Sequence, residues 1–484
     1  MNHEKEGRKK YLVLSIVLVG VFMSVLDAVA LNIALPAITS YFNVAVADTQ
    51  WVVTGYLLTQ TCFLIISGKI AERVGQARMF NIGLIVFSVS SLLCALSSTL
   101  PQLIAFRVVQ GLGGSMLFSV STAIVFRTFG PTERGKAMGF LGSTVAVGGM
   151  LGPVIGGLLV GTMGWRSIFL VNVPIGLIAA AVAVRALKVD EVLADRLHLD
   201  LPGSVLWIVT IASLVLTLGM LADTGSLTPA TGTYLIVFAI AAALFVLWER
   251  RAKEPLLDLS VFKVGRFDLV GLSMAVFFIS LNMVTILGPF YYEGVLDYDP
   301  ETVGFIFMVL PTIMMVGSPL VGRMYDRVRF RPYATAGHLV RAASLLLLAL
   351  GFMTINVPLT LAAFLCMGLG SSLFQTPNNT EFMLALPREK SGLASSIQAT
   401  TRNLSMAIGV SLATLLMTLT MGSMDYSAIA GGPQAGELAS SVAFAIVIGA
   451  ALSVVGAILS RLSERACRRD KGTDRGTVGH DETK

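Results

Sequence analysis

The chain has 484 residues, 55% of them apolar and 13% charged, against about 25% charged in soluble domains. Its mean hydropathy is +0.79. So few charges cannot cover the surface of a soluble protein of this length, which excludes soluble enzymes and soluble nucleic-acid-binding domains. The net charge of +6 must therefore reflect something other than a polyanionic partner.

A helix needs about 20 apolar residues to cross a bilayer core. Such stretches fall at 11–35, 50–68, 79–98, 101–124, 137–160, 167–185 and 202–222, then at 231–248, 268–290, 303–321, 333–353, 358–380, 392–420 and 440–460. The pattern predicts an all-α membrane protein of fourteen spans with short connections. The first stretch follows Lys9 and Lys10 as a signal peptide would, but it is longer than a cleaved apolar region and carries Asp27, so it is read as a retained span.

The basic residues set the orientation. With the N-terminus inside, thirty-one of the 35 Lys and Arg residues fall on the inner side and one, Arg166, on the outer. The other three, Arg107, Arg341 and Arg402, lie within spans. Both termini are thus expected in the cytoplasm and the protein in the cell membrane. The basic surplus is a topology signal, and no nucleic-acid partner is expected.

The ends of the second and tenth spans repeat a pattern: Gly68-Lys69-Ile70-Ala71-Glu72-Arg73 and Gly322-Arg323-Met324-Tyr325-Asp326-Arg327. Matched topological positions point to two six-span halves with a pair of spans between them, the usual build of secondary transporters. The expected division is 1–190 for the first bundle, 191–260 for the inserted pair, 261–465 for the second bundle and 466–484 for a disordered cytoplasmic tail.

A carboxylate within a span is costly and marks function. Asp27 lies about 10 Å from the outer end of its helix at about 1.5 Å per residue, and Arg107 about 9 Å from the outer end of span 4. The two opposite charges share a depth, and pairing would lower the burial cost of each. Burial favours the neutral acid and Arg107 favours the carboxylate, so a pair that separates in one conformation would carry a proton. In span 5, Gly148, Gly152 and Gly156 repeat every fourth residue and form a smooth stripe for close helix approach. Pro153 beside them favours a kink.

Several motifs together resemble the major facilitator superfamily, and within it the fourteen-span drug:proton antiporter branch (EmrB/QacA-like). Leu26 to Pro36 is similar to that branch's first-helix motif, and Gln50 to Tyr56 to its second-helix start. Gly68 to Arg78 is similar to the superfamily's cytoplasmic loop, Arg107 to Gly111 to its fourth-helix motif, and Gly148 to Gly157 to the antiporter motif. Gly164-Trp165-Arg166 with Phe169, Asn172 and Pro174 resembles the sixth-helix start. Val29 stands where a small hydroxyl residue is usual, and Glu72 where Asp is usual.

The resemblance implies a major facilitator fold of two six-helix bundles plus two additional helices. It implies proton coupling at Asp27 and Arg107, and leak prevention by Gly152 and Pro153 within Gly148, Gly152, Pro153, Gly156 and Gly157. It also implies a cytoplasmic gate at Gly68, Glu72, Arg73, Gly75, Arg78, Gly322, Asp326 and Arg327. A cavity lined by spans 1, 2, 4, 5, 9, 10, 12 and 13 would draw polar contacts from Asn32, Gln60, Asn282, Gln375, Asn378, Asn379, Glu381 and Arg402. Glu381 and Arg402 are a candidate pair, and Arg341 is expected to snorkel to the inner interface.

The implied activity is proton-coupled efflux of small amphipathic compounds, cationic or neutral. The alternative substrate is a physiological lipid, fatty acid, siderophore or metabolite. The partners are substrate, protons and the lipid bilayer, with a periplasmic adaptor left open. Cys62, Cys94, Cys366 and Cys467 and the four His show no metal-ligand spacing, and no phosphate-binding loop is present. Neither metal nor cofactor is expected, and clustered enzyme nucleophiles or ligands are not visible.

Overall fold

The structure, a computed structural model, describes residues 2–44, 46–187, 200–263, 265–328, 332–387, 390–421 and 435–477. Among the described residues there is no strand, and fourteen helices are long and apolar enough to cross a membrane. They are α1 (Asn2–Phe42), α2 (Val46–Val74), α3 (Gln76–Ala95), α4 (Leu100–Thr128), α5 (Arg134–Met163), α6 (Arg166–Ala186) and α7 (Leu201–Thr224). There follow α8 (Pro229–Glu249), α9 (Gly265–Gly294), α10 (Pro300–Arg327), α11 (Tyr333–Met353), α12 (Val357–Leu384), α13 (Ser391–Met421) and α14 (Ala435–Thr477).

Local sequence explains where many helices begin. Five start with a polar cap followed by proline in the first turn: Thr99, Asp200, Thr228, Asp299 and Asn356 each accept from a backbone N–H of the first turn. The cap oxygen satisfies an orphan donor, and proline gives up an N–H that the first turn leaves unbonded anyway. Asp299 accepts from the Thr302 backbone N–H at 3.0 Å, and its bonds to Thr302 hold its carboxyl below the usual carboxylate range. Gly75 links α2 to α3 at φ 95°, a backbone region that residues with a Cβ rarely enter. The helix of α5 continues through Pro153; that side chain lies outside the described set.

The contacts divide the chain into two units. Unit 1 is Met1–Asp258 with Pro387–Leu404, and unit 2 is Leu259–Leu386 with Ser405–Lys484. The first half of α13 therefore groups with α1 to α8. In unit 1, α1 packs on α5 and α6, α2 on α4, and α3 on α4 and α6, while α7 pairs with α8 and touches α2. Its core includes Leu26, Leu31, Val52, Leu103, Trp165 and Phe169. In unit 2, α11 and α9 pack on α14, and α10 and α11 on α12, around Met283, Tyr291, Leu345, Phe352 and Phe364.

The expected boundary at 190/191 and tail residues 478–484 lie outside the described residues. Before them, α14 runs on to Thr477, where the sequence suggested disorder from residue 466. Extending a formed helix needs no new nucleus, so a polar continuation costs little.

Candidate functional site: a buried ion pair between helices of unit 1

Asp27 of α1 and Arg107 of α4 meet inside unit 1. Arg107 Nη1 donates to Asp27 Oδ2 at 2.6 Å, and both side chains are fully buried. The other carboxylate oxygen, Oδ1, accepts from Asn172 Nδ2 of α6 at 2.7 Å and from Gln110 Nε2 of α4 at 3.2 Å. Gln110 also accepts from Arg107 Nη1 at 2.6 Å and donates to Ser91 Oγ of α3 at 2.6 Å. Arg107 Nε donates to the Val52 carbonyl at 2.9 Å, and the guanidinium lies over the Tyr56 ring at 4.2 Å. Tyr56 in turn shares a hydrogen bond with Ser24 at 2.7 Å.

Five helices thus contribute to the network around one carboxylate, which α4 and α6 reach directly. A buried charge pair is tolerated when further hydrogen bonds satisfy its remaining polar atoms; here both carboxylate oxygens are bonded, while Arg107 Nη2 has no partner among the described residues. The arrangement also distinguishes the two oxygens. Oδ1 holds two amide donors and has no acceptor site left, whereas Oδ2 holds Arg107 alone. A proton arriving at Asp27 has room at Oδ2, where it competes with Arg107 Nη1.

Asn172, Gln110 and Tyr56 appear in the sequence motifs but carry no expected role there. Depth alone would have found Asn172: it lies six residues into α6, about 9 Å along the helix, level with the ion pair. Gln110 is one turn from Arg107 on the same face of α4.

The glycine stripe lies against α1. A Cβ on Gly148 would meet Val25 Cγ1 at 3.0 Å, on Gly152 Val29 Cβ at 2.7 Å, and on Gly156 Ala30 Cα at 2.9 Å. Val29, larger than the hydroxyl residue usual there, fits because Gly152 yields the space. Gly157 meets nothing within 4 Å and lies off the stripe.

At the loop pattern, Glu72 pairs with Lys69 at 3.1 Å, while Arg73 and Arg78 are exposed. A Cβ on Gly68 would overlap Ser396 of α13, so a bare backbone is required where these helices touch. In unit 2, Gly322 is buried, Asp326 half-buried and Arg327 exposed.

The polar residues expected along a cavity separate into different environments. Asn32 is exposed. Gln60 is buried; its Nε2 donates to Tyr56 Oη at 3.4 Å and its Oε1 accepts from Asn403 Nδ2 at 3.5 Å. Asn282 donates to its own helix at Phe278 O, 3.0 Å away. Gln375 and Asn378 are buried, and Gln375 Oε1 and Asn378 Nδ2 have no partner among the described residues. Asn379 is half-buried. Glu381 accepts from the Tyr325 hydroxyl of α10, a contact between the ends of α10 and α12.

Arg402 has no carboxylate partner among the described residues; it stacks on Phe118 instead, 4.5 Å from the ring centroid. Arg341 does not snorkel. It is fully buried in unit 2, donating to Ser280 and Ser371 at 3.1 and 3.0 Å, with its guanidinium 4.6 Å over Phe277. Hydroxyls and a π face on two neighbouring helices, α9 and α12, offered a nearer refuge than the interface.

The sequence profile of the Major Facilitator Superfamily matches residues 17–410. The riboflavin transporter RibZ of Clostridioides difficile (strain 630) is 33% identical over 402 residues, 83% of this chain and 87% of that protein. The multidrug resistance protein Stp of Mycobacterium tuberculosis (strain CDC 1551 / Oshkosh) is 32% identical over 392 residues, 81% of this chain and 72% of Stp. Among solved structures, the proton:xylose symporter XylE bound to 6-bromo-6-deoxy-D-glucose superposes with a TM-score of 0.65 at 15% identity. That match covers 94% of this chain and 95% of XylE, and it speaks for the fold alone. The chain is a multi-pass membrane protein that belongs to the major facilitator superfamily, in its fourteen-span drug:proton antiporter branch.

Proposed function

We propose that the protein is a proton-coupled antiporter that exports small amphipathic compounds across the cell membrane, with both termini in the cytoplasm. The observation that carries this reading is the buried Asp27–Arg107 pair and its asymmetric hydrogen bonding. A proton on Oδ2 frees Arg107, and loss of the proton recaptures it, so ionisation is tied to the packing of α1, α4 and α6. The Gly148, Gly152 and Gly156 stripe seals α1 against α5 while this happens. One proton crossing about 100 mV supplies about 2.3 kcal/mol and one pH unit about 1.36 kcal/mol. Together, about 3.7 kcal/mol sustains a gradient of about 500-fold for a neutral substrate.

The test is a proteoliposome assay with an imposed pH gradient, comparing wild type with Asp27→Asn on a panel of lipophilic cations, neutral compounds and acids. Asp27→Asn should abolish uphill movement while retaining equilibrium binding. Uphill movement at wild-type rates in the variant would remove Asp27 from the mechanism.

A second substrate reading, a physiological aromatic metabolite, is favoured by the 33% identity to a riboflavin transporter. Riboflavin belongs in the same panel, and its selective transport over the drug-like compounds would decide for that reading.

A further inference from the structure

At mid-membrane depth unit 1 carries a guanidinium that the protein leaves half-satisfied. Arg402 lies eleven residues into α13, about 16 Å along the helix. Phe118 lies ten residues from the opposite end of α4, about 15 Å along that helix, so the two are level, as their stacking requires. Arg402 is partly exposed. A charge at this depth faces a water-filled space or the bundle interior rather than lipid.

Its acceptors can be counted. Arg402 Nε donates to Asn403 Oδ1 at 3.5 Å. The nearby amide oxygen of Gln60 is already taken by Asn403 Nδ2. Phe118 covers one face of the guanidinium. Neither Nη1 nor Nη2 has a hydrogen-bond partner among the described residues, and no carboxylate pairs with the group. What remains is a planar two-nitrogen edge, held by stacking and by its Nε bond. Such an edge matches the two oxygens of a carboxylate, with two parallel hydrogen bonds and opposite charge. An ammonium at the same place would meet a like charge in a weakly screened setting.

We propose that Arg402 is the anchor of the substrate site and that the group it takes is the carboxylate of an amphipathic molecule. This deepens the exporter reading and rests on it. It departs from the cationic or neutral substrates that the sequence alone suggested. Gln60, buried between Asn403 and Tyr56, joins this anchor to the ring on which Arg107 lies. Gly114 makes room for that link, since a Cβ there would come within 2.8 Å of Gln60 Nε2 and 3.0 Å of Tyr56 Oη. Carboxylate anchor and proton site are thus neighbours through two side chains.

The experiment is equilibrium binding to full-length protein in nanodiscs without a pH gradient. Radiolabelled 2-naphthoate is the probe, and 2-naphthamide and 2-naphthylmethylammonium are competitors of the same shape. Wild type should bind the carboxylate at least ~10-fold more tightly than the amide, and the ammonium most weakly. Arg402→Gln should bring the carboxylate-to-amide ratio close to one while the amide's affinity stays within ~2-fold, and Arg402→Lys should keep part of the preference. Equal or tighter binding of the amide or ammonium by wild type overturns the proposal, as does absence of naphthoate binding. An unchanged ratio in Arg402→Gln overturns it too. If that variant does not fold, the wild-type ranking and Arg402→Lys still decide. Asp27→Asn carried through the pH-gradient assay separates the two ideas: coupling lost with no charge preference sinks the anchor alone, and coupling retained sinks the exporter mechanism while the binding ranking remains readable.

Discussion

Replacing Arg107 by Gln leaves Asp27 buried with no countercharge. Breaking a buried ion pair from one side costs about 3–5 kcal/mol. Here Asn172 and Gln110 stay bonded to Oδ1 at 2.7 and 3.2 Å, and the Tyr56 ring loses its cation. Each hydrogen bond to a charged group contributes about 1.5–3 kcal/mol, so the two surviving amides place the loss near the lower end, about 3 kcal/mol. Asp27→Asn in the same background removes the orphaned charge and should recover about 2 kcal/mol. The assay is a double-mutant cycle on unfolding in detergent, with wild type, Asp27→Asn, Arg107→Gln and the double variant. Equal losses in Arg107→Gln and the double variant would refute the reasoning.

Gly152→Leu should open the α1–α5 seam, because a Cβ alone already comes within 2.7 Å of Val29 Cβ. Decay of a pH gradient across proteoliposomes should quicken or substrate cycling stop, and Val29→Ala should relieve part of the defect. At the start of α10, Asp299→Ala should raise amide hydrogen exchange at Thr302 at neutral pH. Since bonding to Thr302 lowers the Asp299 carboxyl below its usual range, the wild-type cap holds above that range and is lost as pH falls through the depressed value. Exchange at Thr302 that ignores both changes would show that the cap does not hold the turn.

The spans and the principal pair were legible because both rest on one-dimensional quantities. Segment length gives the helices, and residue count from the membrane edge gives depth, which brought Asp27 and Arg107 to one level. Rotation about a helix axis is not legible in the same way. Sequence does not say that Asn172 points at Asp27 and Asn282 at its own backbone. Arg341 shows the related limit: the three serine and phenylalanine neighbours that hold it come from α9 and α12, separated by many residues, and no local pattern announces that they meet. Gly157 reads like Gly156 in a motif, yet one step of helix turn takes it off the seam.

The added pair of helices is held to unit 1 chiefly along α2. Trp207 of α7 donates to the Cys62 carbonyl of α2 at 3.1 Å, and α7 and α8 otherwise lean on each other. Where α7 begins and α8 ends, Trp248 donates to Asp200 at 2.9 Å, and Glu249 accepts from the Leu257 backbone at 3.2 Å. The pair is therefore a passenger. Its principal hold on the bundle is α2, so a disturbance of that helix reaches it before a disturbance of any other.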